Sequence, residues 1–178
     1  LICGGMLDPA EALLQARGIS FYDYAKDEAL LLQNAELTAE AALALLLERL
    51  PGPLAGSRIL LCGFGRIGKL LARKLKALGA DVTVSARKAQ ALELARILGY
   101  RRVTAGSWAI IGPAQLPCIR RDCVLLELAS LPGGFCAEAQ ALPGYCAARG
   151  LPGKYAPEAA AAIIRSAIFR NLNLEEAT

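Results

Sequence analysis

The stretch RILLCGFGRIGKLLARKLKALGADVTVSAR, residues 58–87, runs from an apolar segment through a glycine-rich turn into an amphipathic segment, and then into a second apolar segment that ends in a base. Ile59, Leu60, Leu61 and Cys62 form an unbroken apolar run, as expected of a parallel strand covered on both faces. Gly63, Gly65 and Gly68 then fit G-x-G-x-x-G. In that pattern the first glycine permits the tight turn, the second lets a pyrophosphate approach the backbone, and the third lets helix and strand pack closely. The helix predicted from here to about Leu78 places Leu70, Leu71, Leu75 and Leu78 on one face, with Gly79 as its stop. Its N-terminus is where a pyrophosphate would sit. Gly63, Phe64, Gly65, Arg66, Ile67 and Gly68 are therefore candidate cofactor-binding residues. The competing reading is a glycine turn kept only for packing.

A second strand, Val82–Ala86, completes a βαβ unit around the turn. An NAD site normally carries Asp or Glu about 20 residues after the first glycine, on the ribose 2′-hydroxyl. Here that place holds Ser85, Ala86, Arg87 and Lys88. A carboxylate would repel a 2′-phosphate, whereas a guanidinium can grip one with two hydrogen bonds. These four residues are added to the cofactor-binding set and the cofactor expected is NADP. The alternative is that Arg87 and Lys88 merely solvate a loop.

The 178 residues suffice for one good core, or for one domain with part of another. An apolar share of 55% with only 6% aromatics suits an α/β protein with closely packed helices. The net charge of +4 is spread along the chain, and the pairs Arg101/Arg102 and Arg120/Arg121 are too short and isolated for a nucleic-acid surface. No apolar span of 18 or more residues and no cleavable leader is expected, so no membrane partner is foreseen and the location expected is cytoplasmic. Six scattered cysteines without C-x-x-C, and no histidine, give no metal site and no imidazole for acid/base work. The cysteines are read as reduced small apolar residues.

Leu1–Gly5 reads as the end of a strand, Asp8-Pro9 as the cap of a helix that runs through Gln15 to a stop at Gly18, and Ile19–Tyr22 as another short strand. Residues 1–50 are expected to be the remnant of an amino-terminal substrate lobe with an interlobe helix, which starts at Thr38 and ends before Pro51-Gly52-Pro53. Residues 51–155 are expected to form an abbreviated dinucleotide-binding domain, and 156–178 a C-terminal helix and tail. The fold class is α/β, a Rossmann-type doubly wound parallel sheet. Its second half is cramped, because only Ala105, Gly106 and Ser107 separate a third strand, Arg102–Thr104, from the apolar Trp108–Ile111, and a parallel crossover needs about ten residues. Val124–Leu128 reads as a buried strand with Ser130 at its carboxyl end, where open parallel sheets bind ligands, so Ser130 joins the cofactor set.

Taken together, GGMLDP near the start, YDY, NAELTAE, LCGFGRIG, VTVSARK, LELASLPGG and above all ARGLPGKYAPE at 148–158 resemble the dipicolinate synthase A group of spore-forming bacteria. The resemblance implies an NADP-linked oxidation of dihydrodipicolinate to dipicolinate for sporulation. It implies a two-lobe architecture similar to that of 2-hydroxyacid dehydrogenases, and a second, flavoprotein-like component of the synthase as partner; a homo-oligomer is also expected. The sequence departs from the group at Leu37, where Pro is usual, at Ala159-Ala160-Ala161, where Thr-Ala-Gly is usual, and in a strand that usually ends in Asn-Thr-x-Pro.

Such a reaction needs little acid/base power, because loss of hydride from a dihydropyridine yields an aromatic ring; the protein must align the donor carbon and accept one proton. Aligning a dicarboxylate calls for cations and backbone donors. The candidates are Arg66 on the glycine turn, Lys154 beyond the Leu-Pro-Gly turn, and Asn34 and Thr38. Thr38 is also a good helix N-cap and Glu40 a good first-turn residue. No catalytic residue is assigned. Two other readings stay open: another NADP enzyme of the 2-hydroxyacid dehydrogenase type, against which stands the absence of histidine, and a non-catalytic NADP-binding module. The isolated chain is expected to bind NADPH and to oxidise dihydrodipicolinate poorly.

Overall fold

A computed structural model describes residues 1–105 and 111–173. The chain forms two compact units, Leu1–Leu37 with Pro152–Thr178, and Thr38–Leu151.

In the first unit β1 (Ile2–Gly4) and β2 (Phe21–Asp23) pair in parallel, Gly4 opposite Asp23, with α1 (Asp8–Ala16) as the crossover. The expected cap at Asp8 is not what starts α1. The helix begins after Leu7 without a side-chain cap, and Asp8 is its first residue, held instead by Lys26 at 2.6 Å. The turn before α1 is closed from a distance by the buried Asp23, whose Oδ1 accepts from Met6 N–H at 3.0 Å and whose Oδ2 accepts from Leu7 N–H at 2.8 Å. Strand pairing puts that carboxylate beside the turn, which local sequence does not reveal.

The next helix, α2 (Glu28–Arg49), spans 22 residues. Asp27 starts it, with Oδ1 accepting from Leu30 N–H at 3.0 Å. The expected start at Thr38 is thereby corrected: Thr38 lies well inside the helix and is buried, and Glu40 is not in the first turn. The local reading of Thr38 as a cap is overruled by the stronger cap upstream and by burial of Ala35, Ala39 and Ala42, and Asn34 lies inside the same helix. By length and composition α2 could cross a membrane, contrary to the expectation that no such span exists. Burial of Ala39, Ala41, Ala42 and Leu45 inside the protein gives it the character of a core helix, which meets the same test.

In the second unit β3 (Arg58–Cys62), β4 (Asp81–Ala86) and β5 (Arg101–Thr104) form a parallel sheet in that order, linked by α3 (Arg66–Ala77) and α4 (Ala89–Ile97). Cys62 pairs with Ser85 and Ala86 with Thr104, so the three strands end at one level. Ala72 and Ala95 bring the helices close to Val84, and all three are fully buried beside Leu75. Removing the Leu75 side chain to Ala would cost about 2–5 kcal/mol.

Farther along, β6 (Leu125–Glu127) and β7 (Tyr145–Ala147) make a separate parallel pair joined through the short α5 (Ala137–Gln140). Leu126, Leu128 and Cys146 pack against the same core as the three-stranded sheet. The expected apolar stretch Trp108–Ile111 falls outside the described residues except for Ile111, which bridges in parallel to Phe135. The Leu-Pro-Gly segment expected as a turn is instead part of α6 (Leu151–Tyr155), and α7 (Pro157–Asn171) follows.

Candidate dinucleotide site

β3 ends at Cys62, and Gly63 turns the chain with φ +104°, a conformation that side chains rarely adopt. The Gly63 N–H donates to the Ser85 carbonyl at 2.7 Å, which ties the turn to the end of β4. Gly65 then caps α3 without a side chain. Among the described residues a Cβ on Gly65 would meet nothing within 4 Å, so they leave open space in front of the first turn of the helix. A Cβ on Gly68 would collide with the Gly63 carbonyl oxygen, so helix and turn touch there. Open backbone at the second glycine and closure at the third are what a pyrophosphate seat needs, with α3 N–H groups and the helix dipole facing the anion. The residues present fit a dinucleotide.

Phe64 turns its side chain into the core, 6% exposed and edge-on to Tyr100 at 5.9 Å between ring centroids, which leaves its backbone for a ligand. Arg66 is the exposed first residue of α3, and Ile67 beside it is half-buried. Ser85 and Ala86 are buried in β4, while Arg87 and Lys88 are exposed just beyond it, Lys88 capping α4. The pairing of Cys62 with Ser85 sets these two bases at the same sheet edge as the glycine turn. Asn34 is exposed and Thr38 buried one helical turn apart on α2, and Lys154 is exposed on α6. Arg66 is thus the substrate candidate that the structure joins to the glycine turn.

Ser130 is exposed on the loop that follows β6. That loop is organised by two residues to which the sequence alone assigns no role. Glu127, the last residue of β6, is 3% exposed and accepts from Gly134 N–H at 2.9 Å, Phe135 N–H at 3.2 Å and Ala129 N–H at 3.3 Å. Arg149 donates its Nε to the Ala129 carbonyl at 3.0 Å. Burial pushes the Cys62 thiol up to about 11, and the charge of Glu127 adds to the shift. A carboxylate closing an otherwise apolar strand is the one sequence signal that could have singled out Glu127.

The family model of the D-isomer specific 2-hydroxyacid dehydrogenase, NAD binding domain, matches residues 37–107. The A component of dipicolinate synthase from Bacillus subtilis (strain 168) is 30% identical over 161 residues, covering 78% of this chain and 53% of that protein. The chain thus spans about half the length of the curated relative it matches. Among solved structures, the A component of dipicolinate synthase from Bacillus subtilis superposes with a TM-score of 0.84 at 24% identity, over 97% of this chain and 64% of that one. Its counterpart from Bacillus halodurans gives 0.80 at 21% identity, over 93% and 63% of the respective chains. A transhydrogenase from Sinorhizobium meliloti gives 0.70 at 14% identity, over 93% and 64%. These likenesses bear out the α/β Rossmann-type fold, a dehydrogenase-type domain for a nicotinamide dinucleotide, and the resemblance read from the motifs.

Proposed function

We propose that this chain, similar to dipicolinate synthase A in sequence and in fold, is the NADP-binding part of an oxidoreductase that converts dihydrodipicolinate to dipicolinate. The observation that carries the choice of cofactor is the pair Arg87–Lys88 at the end of β4, where an acid would repel a 2′-phosphate. Gly63 and Gly65 would admit the pyrophosphate, with Gly68 packing helix against turn; the α3 N-terminus would face it, and Arg87 would offer a planar fork of N–H donors to the 2′-phosphate. When bound, the nicotinamide is the hydride acceptor. Arg66 would hold a carboxylate of the dihydropyridine, and aromatisation of that ring drives the loss of hydride and proton.

The same reading carries a flavoprotein-like second component of the synthase as partner, a homo-oligomeric state, and a cytoplasmic role in sporulation. The match of residues 37–107 to a 2-hydroxyacid dehydrogenase domain favours a second substrate class, 2-hydroxy acids. The chain has no histidine for the base such enzymes usually employ. The test generates dihydrodipicolinate in situ and supplies NADP+ and the flavoprotein-like component to the gene product that carries these residues. Dipicolinate is followed by its ultraviolet absorbance or terbium luminescence. NADP+-dependent product that disappears in Gly65→Val supports the reading. NADPH binding with no dipicolinate, or reduction of NADP+ by 2-hydroxy acids alone, overturns it.

A further inference from the structure

Glu127 and Arg149 reach the backbone of one loop from two sides. The carboxylate accepts from the N–H groups of Ala129, Gly134 and Phe135, and the guanidinium donates to the carbonyl of Ala129. A Cβ on Gly133 would start 2.8 Å from Glu127 Oε2 and 3.3 Å from Arg149 Nη2, so the loop runs against both charged groups. Burying a carboxylate is costly, and a surface turn can be closed by neutral residues for less. Two charges committed to one loop therefore indicate that its shape matters.

The position of the loop says for what. The order β3-β4-β5 runs outward from the glycine turn, past Arg87, toward the edge of the sheet. A dinucleotide with its pyrophosphate over Gly65 and its 2′-phosphate at Arg87 must send its other half to the opposite flank of β3. β4 fills the other flank of β3, while Leu126 and Leu128 of β6 and its end pack against the same core as β3, and the Glu127 charge is felt at Cys62, the residue before Gly63.

We infer that Glu127 is a positioning residue which, with Arg149, holds the Ala129–Phe135 loop as the wall for the nicotinamide half of the dinucleotide. The inference rests on the dinucleotide reading of the glycine turn. It is tested by measuring, by calorimetry, the affinity of wild type and Glu127→Gln for NADPH and for adenosine 2′,5′-bisphosphate, which carries the adenine half alone. The amide keeps an acceptor but sets an NH2 against backbone N–H groups, so NADPH should weaken about tenfold or more, with the bisphosphate held within about twofold. Should Glu127→Gln not fold, Arg149→Ala, which removes one partly exposed hydrogen bond, carries the same comparison. Equal loss of both ligands, or loss of neither, overturns the positioning role. Failure of wild type to bind either ligand overturns the dinucleotide reading itself.

Discussion

The carbonyl oxygen of Gly63 occupies the place where a side chain at Gly68 would begin, while no described residue fills the Cβ position of Gly65. One motif therefore contains a glycine kept for packing and a glycine kept for approach, and the two separate by experiment.

Gly68→Ala should destabilise the protein by about 1–3 kcal/mol, the usual range for overpacking, because the contact is backbone and cannot swing away. Gly65→Val should melt close to wild type yet lose NADPH binding, since its φ of −81° suits any residue and its side chain would fill the space in front of α3. Thermal melts with NADPH titrations check both. Retained binding in Gly65→Val would place the cofactor elsewhere.

Asp27 gathers the Tyr22 hydroxyl at 2.6 Å, Arg170 at 2.8 Å and the Leu30 N–H at 3.0 Å, joining β2, α2 and α7 within the first unit. The Tyr22 hydrogen bond first, then the Leu30 N–H and Arg170, hold its carboxyl well below the usual carboxylate range. A depressed folded pKa means that this stabilisation is present above about pH 4, the unfolded value, and is lost as pH falls further toward the folded one. Asp27→Asn should cost about 1.5–3 kcal/mol at pH 7, with the gap to wild type narrowing below about pH 4. Melts at several pH values read this directly, and a constant gap would contradict it.

Burial first, then the bond to Asp27, raises Tyr22 to about 12. Its contribution is complete below about pH 10 and fades as pH rises through the folded value. Tyr22→Phe should therefore lie below wild type in stability at pH 8 and approach it above about pH 11, as seen in alkaline melts.

The Cys62 thiol, pushed up to about 11 chiefly by burial, is expected to be slow to alkylate at neutral pH, and the exposed Cys118 fast. Mass spectrometry after brief iodoacetamide treatment ranks the two. Equal labelling would mean that the end of β3 opens readily.

The strand, helix and strand within residues 58–86 were legible because their signals are local: an apolar run, three glycines at fixed spacing and a second apolar run follow one another in the chain. The expected cover on both faces of β3 was not met, since Leu60 is exposed. The start of α2 was not legible, since Thr38 has a cap propensity that the Asp27 cap and burial of the alanine face override. Asp23 and Glu127 were missed for a shared reason. Each carboxylate satisfies N–H groups on a loop brought beside it by strand pairing or chain reversal, and no spacing rule encodes such a neighbour. Phe64 shows the converse: the motif places it at the ligand, and the fold packs its ring on Tyr100.

Titrating NADPH and NADH fluorescence against wild type and Arg87→Ala decides whether the glycine turn and Arg87 together form an NADP site. Wild type should bind NADPH the more tightly, and Arg87→Ala should weaken NADPH by about 1–3 kcal/mol, the worth of a charge-assisted hydrogen bond, while barely changing NADH. Equal or weaker binding of NADPH by wild type, or an equal loss of both nucleotides in the variant, would contradict it.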